Sequence, residues 1–336
     1  MNNYTRDVDD ILDAAGAPPD AGPDDPAGYL PDDGLVEAVN VSLTLGKPLL
    51  LTGDPGTGKT QLARSLAWQL AARTRLNVKT PEIEKFETKS TSAARDLFYT
   101  FDAIRCFQAS RQAEADPSRN GNAAFITFNA LGRAVLRALS PEQMPAQVKS
   151  DILVGPPARS VVLIDEIDKA PRDFPNDLLN EIDEMYFRIP ELDNVKVGGR
   201  DLSREMRPIV VVTSNSEKSL PDPFLRRCIY YHIPFPEPDR LGEILFSRVS
   251  QFSKTAGPLV DDAVEFFGRL RDRGVVKRKI SPAELIDWLS FILASGGKMD
   301  RRLRDARRQA ESGIGALGKD SQSRDAIQKE LQAFFG

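Results

Sequence analysis

The hydrophobic pattern changes character along the chain, and each change predicts a different kind of element. Short strand-like runs come first: "PLLLT" at 48–52, "IEKFE" at 83–87, "VVLID" at 161–165, "IVVVT" at 209–213 and "YYHIPF" at 230–235. Runs that are apolar at nearly every position suit strands buried on both faces, as in a parallel sheet. Helical spacing appears around them. Leu35, Val36, Val39 and Leu43 share one face, and Leu62, Leu66 and Leu70 line one face of "QLARSLAWQLAAR". Strands alternating with helices predict an α/β domain over 31–238, with a parallel five-stranded sheet flanked by helices. Beyond Pro238 the strand signal ends, and "RLGEILFSRVSQF", "DDAVEFFGRLRDR", "AELIDWLSFILA" and "RDAIQKELQAFF" keep a helical period. A smaller all-helical domain over 239–336 follows.

Before the first helix lies "DVDDILDAAGAPPDAGPDDPAGYLPDD" at 7–33, rich in Asp, Pro, Gly and Ala and poor in large apolar groups. Such a composition does not offset its ordering entropy, so residues 1–30 are expected to form an acidic arm, mobile until about Tyr29. Across all 336 residues the hydrophobic content is 41%, the charged content 28% and the net charge -4, which gives no bulk attraction for nucleic acid or membrane. Partners must be argued from sites. Cys106 and Cys228 match no metal-ligand spacing and read as reduced thiols, the lone His232 reads as structural, and no apolar stretch is long enough to span a bilayer. A cytoplasmic protein is expected.

Three motifs carry chemistry. "GDPGTGKT" at 53–60 satisfies G-x-x-x-x-G-K-[ST] between a predicted strand and a predicted helix. There, the loop Gly53, Asp54, Pro55, Gly56, Thr57 and Gly58 would curl around phosphates at a helix N-terminus through the backbone N–H groups of its residues other than Pro55, with Gln61 closing the binding stretch. Lys59 would reach the β and γ phosphates of ATP, and Thr60 would ligate Mg²⁺. In "VVLIDEIDKA" an apolar strand delivers Asp165 and Glu166 to its carboxyl end, the edge at which open α/β sheets bind ligands. Asp165 would hold Mg²⁺ through its water shell and Glu166 would polarise the attacking water. "IVVVTSN" ends another such strand in Ser214 and Asn215. A neutral amide there can hydrogen-bond the γ-phosphate or the lytic water.

The order of these motifs, followed by "LPDPFLRRC" and a helical domain, resembles the AAA+ ATPases. Within them, "LTGDPGTGKTQLA" and "IDEIDKAPRDFPNDLLNEIDE" look like the MoxR branch, a resemblance that covers nearly all of 34–336. It implies that 53–60 are Walker A, Asp165 and Glu166 Walker B, and Asn215 sensor 1. Family arginine fingers follow sensor 1, where this chain offers Arg227, with Arg226 in reserve. A finger supplied in trans makes hydrolysis depend on assembly. The resemblance therefore implies a ring homo-oligomer, a hexamer by analogy. It departs at sensor 2: where a MoxR-like chain has S-P-R, this one has Ser281, Pro282 and Ala283, and Arg278 or Lys279 in the preceding loop are the basic candidates left. Ser281, Pro282 and Glu284 make a helix start instead.

Leu178, Leu179, Ile182 and Met185 predict a helix running into a hairpin through Asp193 and Asn194; the resemblance implies that a hairpin here faces substrate or pore, and packing between subunits is the alternative. Phe98, Tyr99 and Phe101 are expected to pack in the core more readily than to grip a polypeptide. Basic stretches "GRLRDRGVVKRK" and "DRRLRDARRQ" are interrupted by acids and read as solvated faces or subunit contacts. The expected function is a MoxR-like ATPase that remodels a protein partner, with a von Willebrand factor A domain protein as the best partner guess. A slowly hydrolysing nucleotide switch in defence or signalling and a McrB-type nucleic-acid motor are the alternatives.

Overall fold

A computed structural model describes residues 3–7, 25–73, 83–113, 122–148, 156–200, 202–215, 220–249, 252, 255–276 and 278–336. Five strands, β1 (Leu49–Thr52), β2 (Glu84–Glu87), β5 (Val161–Asp165), β8 (Ile209–Thr213) and β9 (Ile229–His232), form one sheet in the order β2-β5-β8-β1-β9. Every pairing in it is parallel. The three central strands are β5, β8 and β1, and their apolar residues divide by the period of two between cores on opposite faces. Leu50, Val162, Ile164, Val210 and Val212 face one core with the helix Ala130–Ala138. Leu49, Leu51, Val161, Leu163, Ile209 and Val211 face the other, which the helices Asp33–Leu45 and Lys59–Arg73 cover.

A third core lies in the C-terminal helical region, around Phe266, Phe267, Trp288 and Leu289. Helices Pro238–Val249, Pro258–Asp272, Pro282–Ala294 and Ser321–Phe335 supply it, and the buried Trp288 indole N–H donates to Ala310 O at 3.0 Å. This is the helical lid domain that the sequence pattern predicts. Among the described residues no helix is long and apolar enough to cross a membrane.

Two small sheets flank the main one. β3 (Tyr99–Phe101) pairs antiparallel with β4 (Ile126–Phe128), and β6 (Tyr186–Ile189) pairs antiparallel with β7 (Val195–Gly198). The second is the expected hairpin. Asp193 and Asn194 both take positive φ at its tip, but a 3₁₀ turn at Pro190–Leu192 lengthens the connection. Phe187 of β6 stacks on Phe98 with centroids 5.2 Å apart, and Phe98 and Tyr99 are buried, so these aromatics serve the core. The Tyr99 hydroxyl donates to Glu191 Oε2 at 2.8 Å, tying the hairpin to β3.

Of the acidic arm, residues 1–2 and 8–24 lie outside the described residues, while the described stretches 3–7 and 25–30 pack on the body. Tyr4 is buried, and its hydroxyl is 3.1 Å from Ser65 Oγ. Two side-chain amides bracket the backbone beside it. Asn40 accepts from Tyr4 N and donates to Tyr4 O, and Gln69 does the same for Thr5, at 2.8–3.1 Å. Ser65 and Gln69 belong to the helix that follows the glycine-rich loop.

Candidate nucleotide site

β1 ends at Thr52 and the next helix opens at Lys59, so residues 53–58 cross the carboxyl end of the sheet as a loop. Gly53, Gly56 and Gly58 take φ of 142°, 77° and 89°, values that side-chain-bearing residues rarely adopt. Gly56 has a second reason to lack a side chain. A Cβ there would lie 2.7 Å from Ser281 Cβ and 3.3 Å from Ala283 Cβ, because the start of the lid helix Pro282–Ala294 rests on the loop. Ser281 caps that helix through a box with Glu284.

Lys59 is 8% exposed, and its ammonium donates to Gly53 O at 2.7 Å and Asp54 O at 3.0 Å. Burial lowers its pKa, against the pull of Asp168, Asp54, Asp165 and Glu166 in the opposite direction. A desolvated cation whose hydrogen-bond partners are neutral carbonyls can exchange them for the oxygens of an anionic ligand. The cavity in front of it is about 720 Å³. The loop with Thr60 and Gln61 lines it on one side, Asp165, Glu166 and Asn215 at the strand ends, and Ala283 and Asp287 from the lid. Tyr29, Ile233, Phe235 and Ile286 add apolar lining.

At the strand ends the acids are held by neighbours. Asp165 Oδ1 accepts from Thr213 Oγ1 at 2.6 Å, and Asp165 Oδ2 lies 3.1 Å from Lys85 Nζ. Glu166 takes φ 56° and ψ 52°, and its N–H donates to Thr213 Oγ1 at 2.9 Å. Its carboxylate pairs with Lys169 and accepts from Asn215 Nδ2 at 3.3 Å. Asn215 N donates to Asp168 Oδ1 at 3.1 Å. The predicted acidic pair and the strand-terminal amide are thus brought within reach of one another. Among the described residues no group of three or more His, Cys, Asp or Glu could hold a metal unaided. A cation beside Thr60 and Asp165 would take its remaining ligands from phosphate oxygens and water, as Mg²⁺ does in such sites. The donor set fits that ion.

Other predicted residues stand apart. Arg227 lies outside the cavity, with Nε 2.6 Å from Asp183 Oδ2 and Nη1 3.2 Å from Pro223 O, and Arg226 is exposed beside it. Neither sensor 2 candidate lines the cavity: Arg278 pairs with Glu284 and Lys279 is exposed. The lid's basic residues on the cavity wall are Arg240 and Arg248, which donate to Pro31 O at 3.0 Å and Asp25 O at 2.8 Å. They fasten the end of the arm to the lid. Arg302, Arg307 and Arg269, from the basic stretches and their surroundings, pair with Asp262, Glu311 and Glu265.

Sequence reasoning missed Thr213, Lys85, Arg240 and Arg248. For Thr213 a signal existed, since it is the last residue of an otherwise apolar strand directly beside the acidic one. The other three carry no local pattern that separates them from ordinary surface cations.

No curated protein sequence matches the chain. Among solved structures it is similar in fold to Thermotoga maritima RuvB variants. One is 16% identical, covers 89% of this chain and 67% of that one, and has a TM-score of 0.41. A second is 14% identical, covers 94% and 73%, and has a TM-score of 0.45. Domain III of the Thermotoga maritima replication initiation protein DnaA is 13% identical and covers 88% and 97%, with a TM-score of 0.42. A family model described as the AAA domain (dynein-related subfamily) matches residues 48–228, from the first strand of the sheet to the residue before the last. That match spans more than half of the chain and encloses the loop, the acidic pair and Asn215, so the chain belongs to this AAA family within the AAA+ ATPases, whose fold binds and hydrolyses nucleotide.

Proposed function

We propose that this chain is a MoxR-like AAA+ ATPase that binds ATP with Mg²⁺ in the 720 Å³ cavity and uses hydrolysis to remodel a protein partner. The observation that carries the reading is the convergence of Lys59, Asp165, Glu166 and Asn215 on one cavity that the lid also lines. In this reading the Lys59 ammonium leaves the loop carbonyls for oxygens of the β and γ phosphates, while loop N–H groups bind the remainder. Mg²⁺, held by Thr60 and through water by Asp165, would neutralise developing phosphate charge. Glu166 orients the attacking water and accepts its proton, and Asn215 fixes the water or the γ-phosphate. The new bond joins water oxygen to the γ-phosphorus and the β–γ bridge breaks, giving ADP and phosphate.

Arg227 serves the γ-phosphate of a neighbouring subunit in a ring, a hexamer by analogy with the MoxR-like family, and Arg226 is the reserve. Closure of that ring on ATP and its release on hydrolysis supply the remodelling stroke. The client is a protein, with a von Willebrand factor A domain protein as the first candidate and the cytoplasm as the setting. The pairing of Arg302, Arg307 and Arg269 with neighbouring acids favours a protein client over nucleic acid. Binding of a fluorescent ATP analogue tests the site. Lys59→Ala is expected to weaken it at least 100-fold while the fold persists by circular dichroism. Affinity within threefold of wild type would contradict the assignment.

A further inference from the structure

Thr213 closes β8, a strand buried at every position, and is itself 1% exposed. A hydroxyl so placed must find partners, and here both belong to the acidic pair on the adjacent strand. Oγ1 accepts the Glu166 N–H at 2.9 Å and donates to Asp165 Oδ1 at 2.6 Å. A hydroxyl has one proton. Since the backbone N–H occupies one acceptor position, that proton is committed to Asp165, and one oxygen atom fixes the backbone of one acid and the carboxylate of the other.

The Glu166 bond matters because this residue sits in the left-handed region, φ 56° and ψ 52°, which glutamate rarely enters. Such a conformation persists where its surroundings over-determine it. The Thr213 hydroxyl is the side chain that holds the Glu166 N–H, and the resulting turn carries the Glu166 carboxylate to Asn215 Nδ2, 3.3 Å away. Lys85 grips the other oxygen of Asp165 at 3.1 Å, so the Asp165 carboxylate is oriented from two sides, one neutral and dry, the other charged and partly exposed.

We propose that Thr213 is a positioning residue for hydrolysis: through these two hydrogen bonds it sets the orientation of Asp165 and Glu166. The inference rests on the ATPase reading given above. It predicts a defect in turnover and in use of Mg²⁺, with ATP binding retained, because both hydrogen bonds of this hydroxyl go to the acidic pair and neither goes to the glycine-rich loop or the lid.

The test compares Thr213→Val, which keeps the shape and loses both bonds, with Thr213→Ser, which keeps the hydroxyl. In the full-length protein, Thr213→Val should lower kcat about 10- to 100-fold, raise the half-maximal Mg²⁺ concentration, and leave KM for ATP within about twofold. Thr213→Ser should stay within about threefold of wild type in all three. A Thr213→Val enzyme with kcat within twofold of wild type, or a Thr213→Ser enzyme as impaired as Thr213→Val, would overturn the proposal. If valine prevents folding, Thr213→Ala removes the hydroxyl without adding bulk and carries the same expectations.

A second readout separates failure of this inference from failure of the ATPase reading. Hydrogen exchange at the Glu166 amide, without nucleotide, should accelerate at least tenfold in Thr213→Val and stay slow in Thr213→Ser. An unchanged rate overturns the clamp whatever the enzyme does. If wild type releases no phosphate while the amide responds as stated, the ATPase reading fails, and with it the positioning role.

Discussion

If Arg227 acts in trans, it must first leave Asp183, and the structure gives the size of that obstacle. The guanidinium and the carboxylate lie 2.6 Å apart, but the two side chains are 40% and 41% exposed. Exposed pairs contribute about 0.5–1 kcal/mol, far less than their Coulomb energy in a dry site, because water and side-chain entropy offset most of the attraction. Asp183 therefore withdraws Arg227 from its neighbour by a factor of about two to five, the fold equivalent of that energy. Asp183→Asn preserves the shape and removes the competing charge. Steady-state phosphate release against protein concentration is the assay, and the concentration giving the half-maximal rate per subunit should fall about two- to fivefold. Salt near 1 M should erase the difference, since it screens the exposed pair in wild type. Arg227→Ala should abolish the concentration-dependent rate, and adding Asp183→Asn to it should restore nothing. A gain that persists in the double variant would refute the reasoning, as would an Asp183→Asn curve identical to wild type beside an inactive Arg227→Ala.

Two predictions concern the scaffold. In the helix Ala130–Ala138, a Cβ on Gly132 would lie 2.0 Å from Phe98 O, a backbone atom that cannot step aside, so Gly132→Ala should cost about 3 kcal/mol or more by chemical denaturation. A variant as stable as wild type would show that this helix does not approach Phe98 as described. Burial, aided by Asp183, pushes the Cys228 thiol up to about 12 from an ordinary value near 9. The folded thiol keeps its proton where the unfolded one loses it. Its contribution is therefore complete below pH 9 and is lost as pH climbs towards 12. Tyr4, Tyr29, Tyr99 and Tyr231 are raised in the same direction, chiefly by burial, and add to the loss above pH 10. The denaturant midpoint should be flat from pH 7 to 9 and fall beyond, with Cys228 resisting alkylation at pH 8 until the protein unfolds. A midpoint steady to pH 11 would contradict this account.

The central strands β1, β5 and β8 are legible because a parallel sheet covered on both faces imposes a local signal, a short apolar run, whereas the edge strands β2 and β9 alternate and carry it only in part. "PLLLT" and "IVVVT" fall on β1 and β8 within a residue. The fifth run outlasts its strand. Ile233 belongs to the core beneath the sheet and Phe235 stacks on Phe267 of the lid, so both are apolar outside any strand, and Pro234, lacking an N–H, does not extend the ladder. β3 and β4 were not legible, since three residues each are too few to display a period of two. The same limit applies to the arm: its mean composition opposes order, yet Tyr4 docks because Asn40, Ser65 and Gln69, distant in sequence, present matching groups. In the site, the glycine-rich loop and the acids could be read because their spacing along the chain carries the chemistry. Thr213, Lys85, Arg240 and Arg248 act across space, between elements whose adjacency only the folded topology supplies.

The central claim is that ATP is hydrolysed at this cavity with Glu166 as the group that activates water. Phosphate release by wild type and Glu166→Gln, measured at matched ATP occupancy and with Mg²⁺ in excess, tests it most directly. The account predicts that Glu166→Gln binds ATP within about threefold of wild type yet turns over at least 100-fold more slowly, the loss expected when the group that takes the proton is removed. Equal turnover by the two proteins would contradict it.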